Sequence, residues 1–178
     1  MKFDQQINLI PIRHEDYAAV QNLARFYVYD ISKHCGIAED AFDWAFPENG
    51  LYECFDLSKY WTDTNCKSFL IRINGELGGF VIINKPDVSP GTDWNMSEFY
   101  IVAKFQGKGV GQHVAVQIFE QFKGSWEVLQ LPSNKPAIAF WKKVVNTYTK
   151  GDYSESKESK TDPEPHDMIA LRFRTSDI

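Results

Sequence analysis

Three glycines stand at alternate positions in Gln106-Gly107-Lys108-Gly109-Val110-Gly111. They fall between an apolar run, Trp94 to Val102, and a segment with Val110, Val114, Ile118 and Phe122 at helical spacing. A turn without side chains lets the backbone approach a ligand closely. The first N–H groups of the following helix are unpaired and carry the positive end of its dipole, so together they suit a phosphate. Lys108 adds a positive charge. A Walker loop would need GxxxxGK[ST], which is absent, and a dinucleotide fingerprint would need a third glycine where Gln112 stands. The same glycines could serve only a tight turn and close packing. Their place at a strand-to-helix junction favours a ligand.

A second chemical signal is charge. The chain of 178 residues carries a net charge of −5. Between Asp30 and Asp63 there are eight acids, among them Asp43 and Glu53, against two bases, Lys33 and Lys59. This one segment exceeds the imbalance of the whole chain. It is also aromatic, with Trp44, Phe46, Tyr52, Tyr60 and Trp61. A charge run is commonly a solvated face. It can also be a wall that attracts a cationic partner, with aromatic rings for packing or cation–π contact.

The elements that must position these groups can be read from patterning. Phe3 to Ile12 reads as an edge strand closed by Pro11. Tyr17, Val20, Ala24, Tyr27, Val28 and Ile31 predict a helix over Glu15 to Lys33, and a second short helix is expected over Ala38 to Phe46. Strands are expected at Lys67–Ile73 and Leu77–Asn84, joined at Asn74-Gly75 by a hairpin turn. Lys85 to Asp93 reads as a loop, Trp94–Val102 as a strand, and the glycine turn opens a helix stopped by Gly124. A strand over Trp126–Leu131, a helix from Pro136 and a last strand over Met168–Thr175 complete the chain. Lys150 to His166 is polar and reads as a mobile loop. No composition shift divides the chain, so one domain over 1–178 is expected.

Composition limits the classes of function. At 43% hydrophobic and 15% aromatic the chain is globular, and its length needs no disulfide or metal for folding. Cys35, Cys54 and Cys66 are odd in number and lack CxxC spacing, which reads as reduced thiols in a cytoplasmic protein. Nothing resembles a signal peptide or a membrane span. The negative balance disfavours a general nucleic-acid binder.

The segment Gln106 to Gly111 resembles the (R/Q)-x-x-G-x-(G/A) signature of the GNAT superfamily, the acyl-CoA N-acyltransferases. Glu98 to Phe105 is similar to their fourth strand and its exit, and Asn134 to Lys143 to their N-x-x-A-x-x-x-(Y)-x-K segment. The order of elements agrees over nearly the whole chain. The likeness is closer to little-characterised bacterial members with a Tyr29–Ser32 YDIS-like segment, a Tyr60-Trp61 pair and an LPxN run at Leu131–Asn134. The resemblance implies a mixed α/β (α+β) fold. Its twisted central sheet is mostly antiparallel, flanked by helices and splayed between the fourth and fifth strands.

The resemblance further implies acetyl-CoA as co-substrate. Its pyrophosphate would rest on Gln106, Gly107, Lys108, Gly109, Val110 and Gly111, and its pantetheine arm would pair with main chain at Ile101, Val102 and Ala103. Asn134 would bond to CoA, or cap the next helix, a role Asn also favours. Phe140 and Trp141 would wall the arm. The reaction implied is direct attack of an amine on the thioester. It needs a base for the amine proton and an N–H for the oxyanion. Glu98 shares a strand face with Val102 and suits the base, or pairs with a basic side chain. Family members with a tyrosine acid carry it where Trp141 stands, and an indole cannot supply that proton. Another tyrosine, Tyr148 the distant candidate, or water would then protonate the thiolate. The acidic segment falls where the family builds its acceptor side. A small cationic amine, held by Tyr29, Asp30, Asp43 and Glu53, is therefore expected. Homodimers are common in the family. The competing expectation is a CoA-binding sensor or interaction module without turnover.

Overall fold

The computed structural model describes residues 4–35, 46–53, 57–86, 91–160 and 166–175. Apart from Phe46, the short helix expected over 38–46 lies outside them, as does Asp43. The elements in chain order are β1 (Ile7–Pro11), α1 (Tyr17–Cys35), α2 (Lys59–Thr62), β2 (Cys66–Ile73), β3 (Glu76–Asn84) and β4 (Trp94–Ile101). They continue with α3 (Val110–Gln121), β5 (Ser125–Gln130), α4 (Lys135–Thr149), β6 (Tyr153–Lys160) and β7 (His166–Arg174). The strands form one sheet in the order β1-β2-β3-β4-β5-β7-β6. All neighbours are antiparallel except β4 and β5.

Apolar side chains on the two sheet faces fix the layers. One face carries Ile71, Ile73, Val81, Ile83, Met96 and Ile101 against Val110, Val114 and Ile118 of α3 and Trp141 and Val144 of α4. The other carries Leu70, Phe80, Ile82 and Tyr100 against Val20, Leu23 and Ala24 of α1 and Tyr60 of α2. Asn74 and Gly75 both have positive φ, at 50° and 83°, as the hairpin turn between β2 and β3 requires.

Lys150 to His166 departs from the sequence expectation. Tyr153–Lys160 is a strand at the sheet edge, paired along its length with β7. Its residues lack the apolar alternation that marks a strand, so pairing overrides local propensity. Charge supplies the cross-strand contacts. Arg172 of β7 bonds Glu158 of β6 and the buried Glu127 of β5, and Lys142 of α4 lies 2.8 Å from Glu155. The Arg172 guanidinium holds the Glu158 carboxyl down at about 2.

Two irregularities shape the centre of the sheet. β4 and β5 pair only at Trp94–Trp126 and Asn95–Glu127, so the two parallel strands part beyond Asn95. In the β3–β4 ladder, Ile82 pairs with Glu98 but Ile83 pairs with Met96, which leaves Ser97 as an extra residue. Such a bulge redirects the side chains that follow it. Met96 belongs to the α3/α4 face, yet beyond Ser97 it is Phe99 and Ile101 that do so. Glu98 and Tyr100 are thereby turned towards the α1/α2 face, where Ile82 and Phe80, their partners in β3, also lie.

Candidate active site

A cavity of about 520 Å³ opens where β4 and β5 separate. Its walls come from the end of α1, the last residues of β4, the glycine turn and the start of α4. Gly107, Gly109 and Gly111 all line it. Gly107 and Gly109 have φ of 71° and 82°, a region that L side chains rarely adopt. Gly109 is the N-cap of α3, so the helix begins at the cavity wall. Gly111 has a different role. A Cβ there would stand 3.1 Å from the Phe140 ring, so this glycine lets α3 and α4 pack closely.

The remaining residues of the turn divide into those that face the cavity and those that build it. Gln106 lines the cavity and donates from Nε2 to the Ile101 carbonyl at 2.7 Å, tying the turn to the end of β4. Lys108 does not line the cavity, and its ammonium donates to the Lys104 carbonyl at 2.8 Å. The Val110 side chain is wholly buried in the core.

The main chain at the end of β4 is already engaged. The Val102 N–H donates to Gly78, and the Val102 and Ala103 carbonyls accept from Phe105 and Gln106. Neither residue lines the cavity, though each carbonyl keeps a second lone pair. Asn134 is the N-cap of α4, its side-chain oxygen accepting from the Ala137 N–H at 3.1 Å, and it also lines the cavity. Its side-chain NH₂ has donors beyond that cap bond. Phe140 and Trp141 line the cavity with Phe99 as one aromatic group, ring centroids 4.9–5.9 Å apart.

The acidic and aromatic candidates separate. Asp30 lines the cavity beside the Tyr100 phenol, with Lys33 Nζ 3.8 Å away. Burial, and then the Asp30 carboxylate, push the Tyr100 phenol up to about 12. Tyr29 points elsewhere. It is 58% exposed and packs on Phe46 and Tyr52. Glu53 is exposed and outside the cavity wall. Glu98 is half-buried and also outside that wall. It stands beside Tyr60, whose phenol is pushed up to about 12 by burial first and the Glu98 carboxylate next, against a hydrogen bond from Ser97. Tyr148 packs among Phe119 and Phe173 beside Glu120, away from the cavity.

Sequence reasoning passed over Tyr100, Tyr27, His34 and Lys143, all of which line the cavity. Tyr100 had a usable signal, since it lies two residues after Glu98 and so shares its strand face. Lys143 closes the segment that begins at Asn134, about two and a half helical turns further along α4.

Comparison with known proteins agrees with this geometry. Residues 31–145 match the family model described as Acetyltransferase (GNAT) family. Among solved structures, an acetyltransferase from Thermus thermophilus superposes with a TM-score of 0.63 at 16% identity, over 96% of this chain and 97% of the other. A spermidine N-acetyltransferase SpeG chimera from Vibrio cholerae and hSSAT gives 0.58 at 14% identity, over 95% of each chain. A Bacillus subtilis acetyltransferase in complex with CoA gives 0.52 at 11% identity, over 97% of this chain and all of the other. These likenesses concern the fold. No curated protein matches the sequence significantly. The family match spans most of the chain and contains the glycine turn, the parted strands and the start of α4, so the chain belongs to the GNAT family and is an acyl-CoA-dependent N-acetyltransferase.

Proposed function

We propose that the chain transfers an acetyl group from acetyl-CoA to the primary amine of a small cationic acceptor. One observation carries this reading. The glycine turn and the Asp30 carboxylate line the same cavity, together with the end of β4. The turn and the start of α3 suit the pyrophosphate. Lys33 and Lys143 on the wall complement further phosphate charge. Asn134 and the Ile101 carbonyl offer partners for the amide arm, and Phe99, Phe140 and Trp141 an apolar wall. Of the acids between Asp30 and Asp63, Asp30 alone among the described residues reaches this cavity. It supplies a countercharge for an ammonium.

An amine attacks only when neutral, so its ammonium must first lose a proton. Glu98 is the base in this reading, acting through water because it stands behind the cavity wall, beside Tyr60. A β4 backbone N–H stabilises the oxyanion.

The test is a CoA-release assay over an amine panel, after titration with acetyl-CoA. Polyamines and other cationic amines are expected to outperform neutral and anionic ones. A preference for neutral or anionic amines removes the cationic acceptor, and acetyl-CoA binding without turnover on any amine favours the sensor. Glu98→Gln is expected to lower kcat by about 100-fold, within the range for lost general-base catalysis, with acetyl-CoA affinity unchanged. An unaltered kcat moves the base elsewhere.

A further inference from the structure

Acetylation of an ammonium takes two protons from its nitrogen. One leaves before attack, when the ammonium becomes a neutral amine. The other sits on nitrogen in the tetrahedral intermediate, while the departing sulfur needs one. A group that moves this second proton from nitrogen to sulfur would let the intermediate collapse without charge separation.

The cavity contains one adjacent pair suited to that transfer. Asp30 and Tyr100 both line it, and the carboxylate stands beside the phenol. Tyr100 precedes Ile101 at the end of β4, where the strands have parted, and the Ser97 bulge turns its ring to the α1 side. Of the other described phenols, Tyr27 also lines the cavity, and Tyr60 and Tyr148 do not. Tyr60 is engaged by Ser97 and Glu98, Tyr148 by Glu120, and Tyr27 packs its ring on Phe80 and Tyr100. Trp141 offers only an indole N–H.

The geometry points to Asp30 and Tyr100 as a proton relay between the attacking nitrogen and the departing sulfur. This rests on the acetyl-transfer reading above. After the nitrogen–carbon bond has formed, the Asp30 carboxylate takes the proton from the cationic nitrogen of the intermediate. The oxyanion re-forms the carbonyl as the carbon–sulfur bond breaks, and its electron pair goes to sulfur. Asp30, now protonated, passes its proton to the Tyr100 oxygen as the Tyr100 O–H proton moves to sulfur. The pair ends as it began, carboxylate and phenol. The products are the amide and free CoA thiol. A phenol whose proton is held up to pH about 12 starts each cycle in the required form.

The test compares Tyr100→Phe, Asp30→Asn and the double variant with the unaltered chain. The acceptor is the best amine of the panel, and acetyl-CoA binding serves as the control for folding. Tyr100→Phe is expected to lower kcat by about 100-fold while the acceptor KM and acetyl-CoA affinity stay within about twofold. Asp30→Asn should lower kcat similarly and raise the acceptor KM as well. In the double variant, kcat should fall no more than about threefold below either single variant, since two members of one relay are lost only once. A Tyr100→Phe variant that keeps more than about a third of kcat overturns the relay and leaves acetyl transfer standing. So do single losses that multiply in the double variant. Acetyl-CoA binding by the unaltered chain without CoA release on any amine overturns the transfer reading, and the relay with it.

Discussion

Gly109→Asp is expected to weaken CoA binding by about 100-fold or more, a loss of about 2.7 kcal/mol, while the fold survives. Gly109 is the N-cap of α3 with φ at 82°, and it lines the cavity. An aspartate there puts a negative charge at the end of the helix that favours an anion. It also puts a Cβ where, in the proposed reading, the backbone approaches the pyrophosphate. Asp tolerates the left-handed region better than most residues, so the conformational cost is only about 1 kcal/mol. Gly109→Ala separates the two effects, because it adds the Cβ without the charge. It should lose less affinity than the aspartate. Titration with CoA and a thermal melt of both variants supply the comparison. Unchanged affinity in Gly109→Asp would place the cofactor elsewhere.

The second large effect is on stability. Gly79 of β3 has φ at 150° and pairs with Ile101. A Cβ there would stand 1.9 Å from the Tyr100 carbonyl oxygen and 3.1 Å from the Ile101 Cα. Both neighbours are backbone, so no rotamer change relieves the overlap. Gly79→Ala must push the end of β4 away from β3 or abandon the local pairing. Overpacking and backbone strain together cost about 3 kcal/mol. For a chain of this size that lowers Tm by about 6–12 °C. CoA affinity should fall with it, because the displaced residues, Tyr100 and Ile101, line the cavity. An unchanged melting temperature would show that β4 moves freely at this point.

Much of this arrangement is legible in the residues. The Asn74-Gly75 hairpin, the strand–glycine–helix unit and the Pro136 helix start all rest on local backbone chemistry, which sequence reports well. Asn134 shows where such reasoning divides. Its cap bond to Ala137 is local, whereas its place in the cavity depends on where α4 meets β4 and β5. Glu98 shows the other limit. Its spacing to Val102 was visible, but Ser97 shifts the ladder upstream of it, and a bulge leaves no mark in composition. The same shift turns Tyr100 to meet Asp30, a contact between residues seventy positions apart in the chain. Proximity of that kind comes only from the sheet and the helix laid across it. The Tyr153–Lys160 strand failed on periodicity, because its partner in β7 and not its own pattern specifies it.

That outer strand has a consequence of its own. A strand with one greasy face is held in register because slipping by one residue would invert it. Tyr153–Lys160 has no such face, so its alignment on β7 is written in charge. Arg172 grips Glu158, Lys142 meets Glu155, and the Ser159 hydroxyl donates to Asp167 at 2.8 Å. Its attachment therefore answers to solvent where the centre of the sheet does not. Glu158 ionises more readily folded than unfolded, so its share of the grip is complete above about pH 4.5 and fades as pH falls towards 2. Salt weakens the exposed contacts in the same direction. The sheet has an ionic hem on an oily cloth, and acid or salt should loosen the hem first.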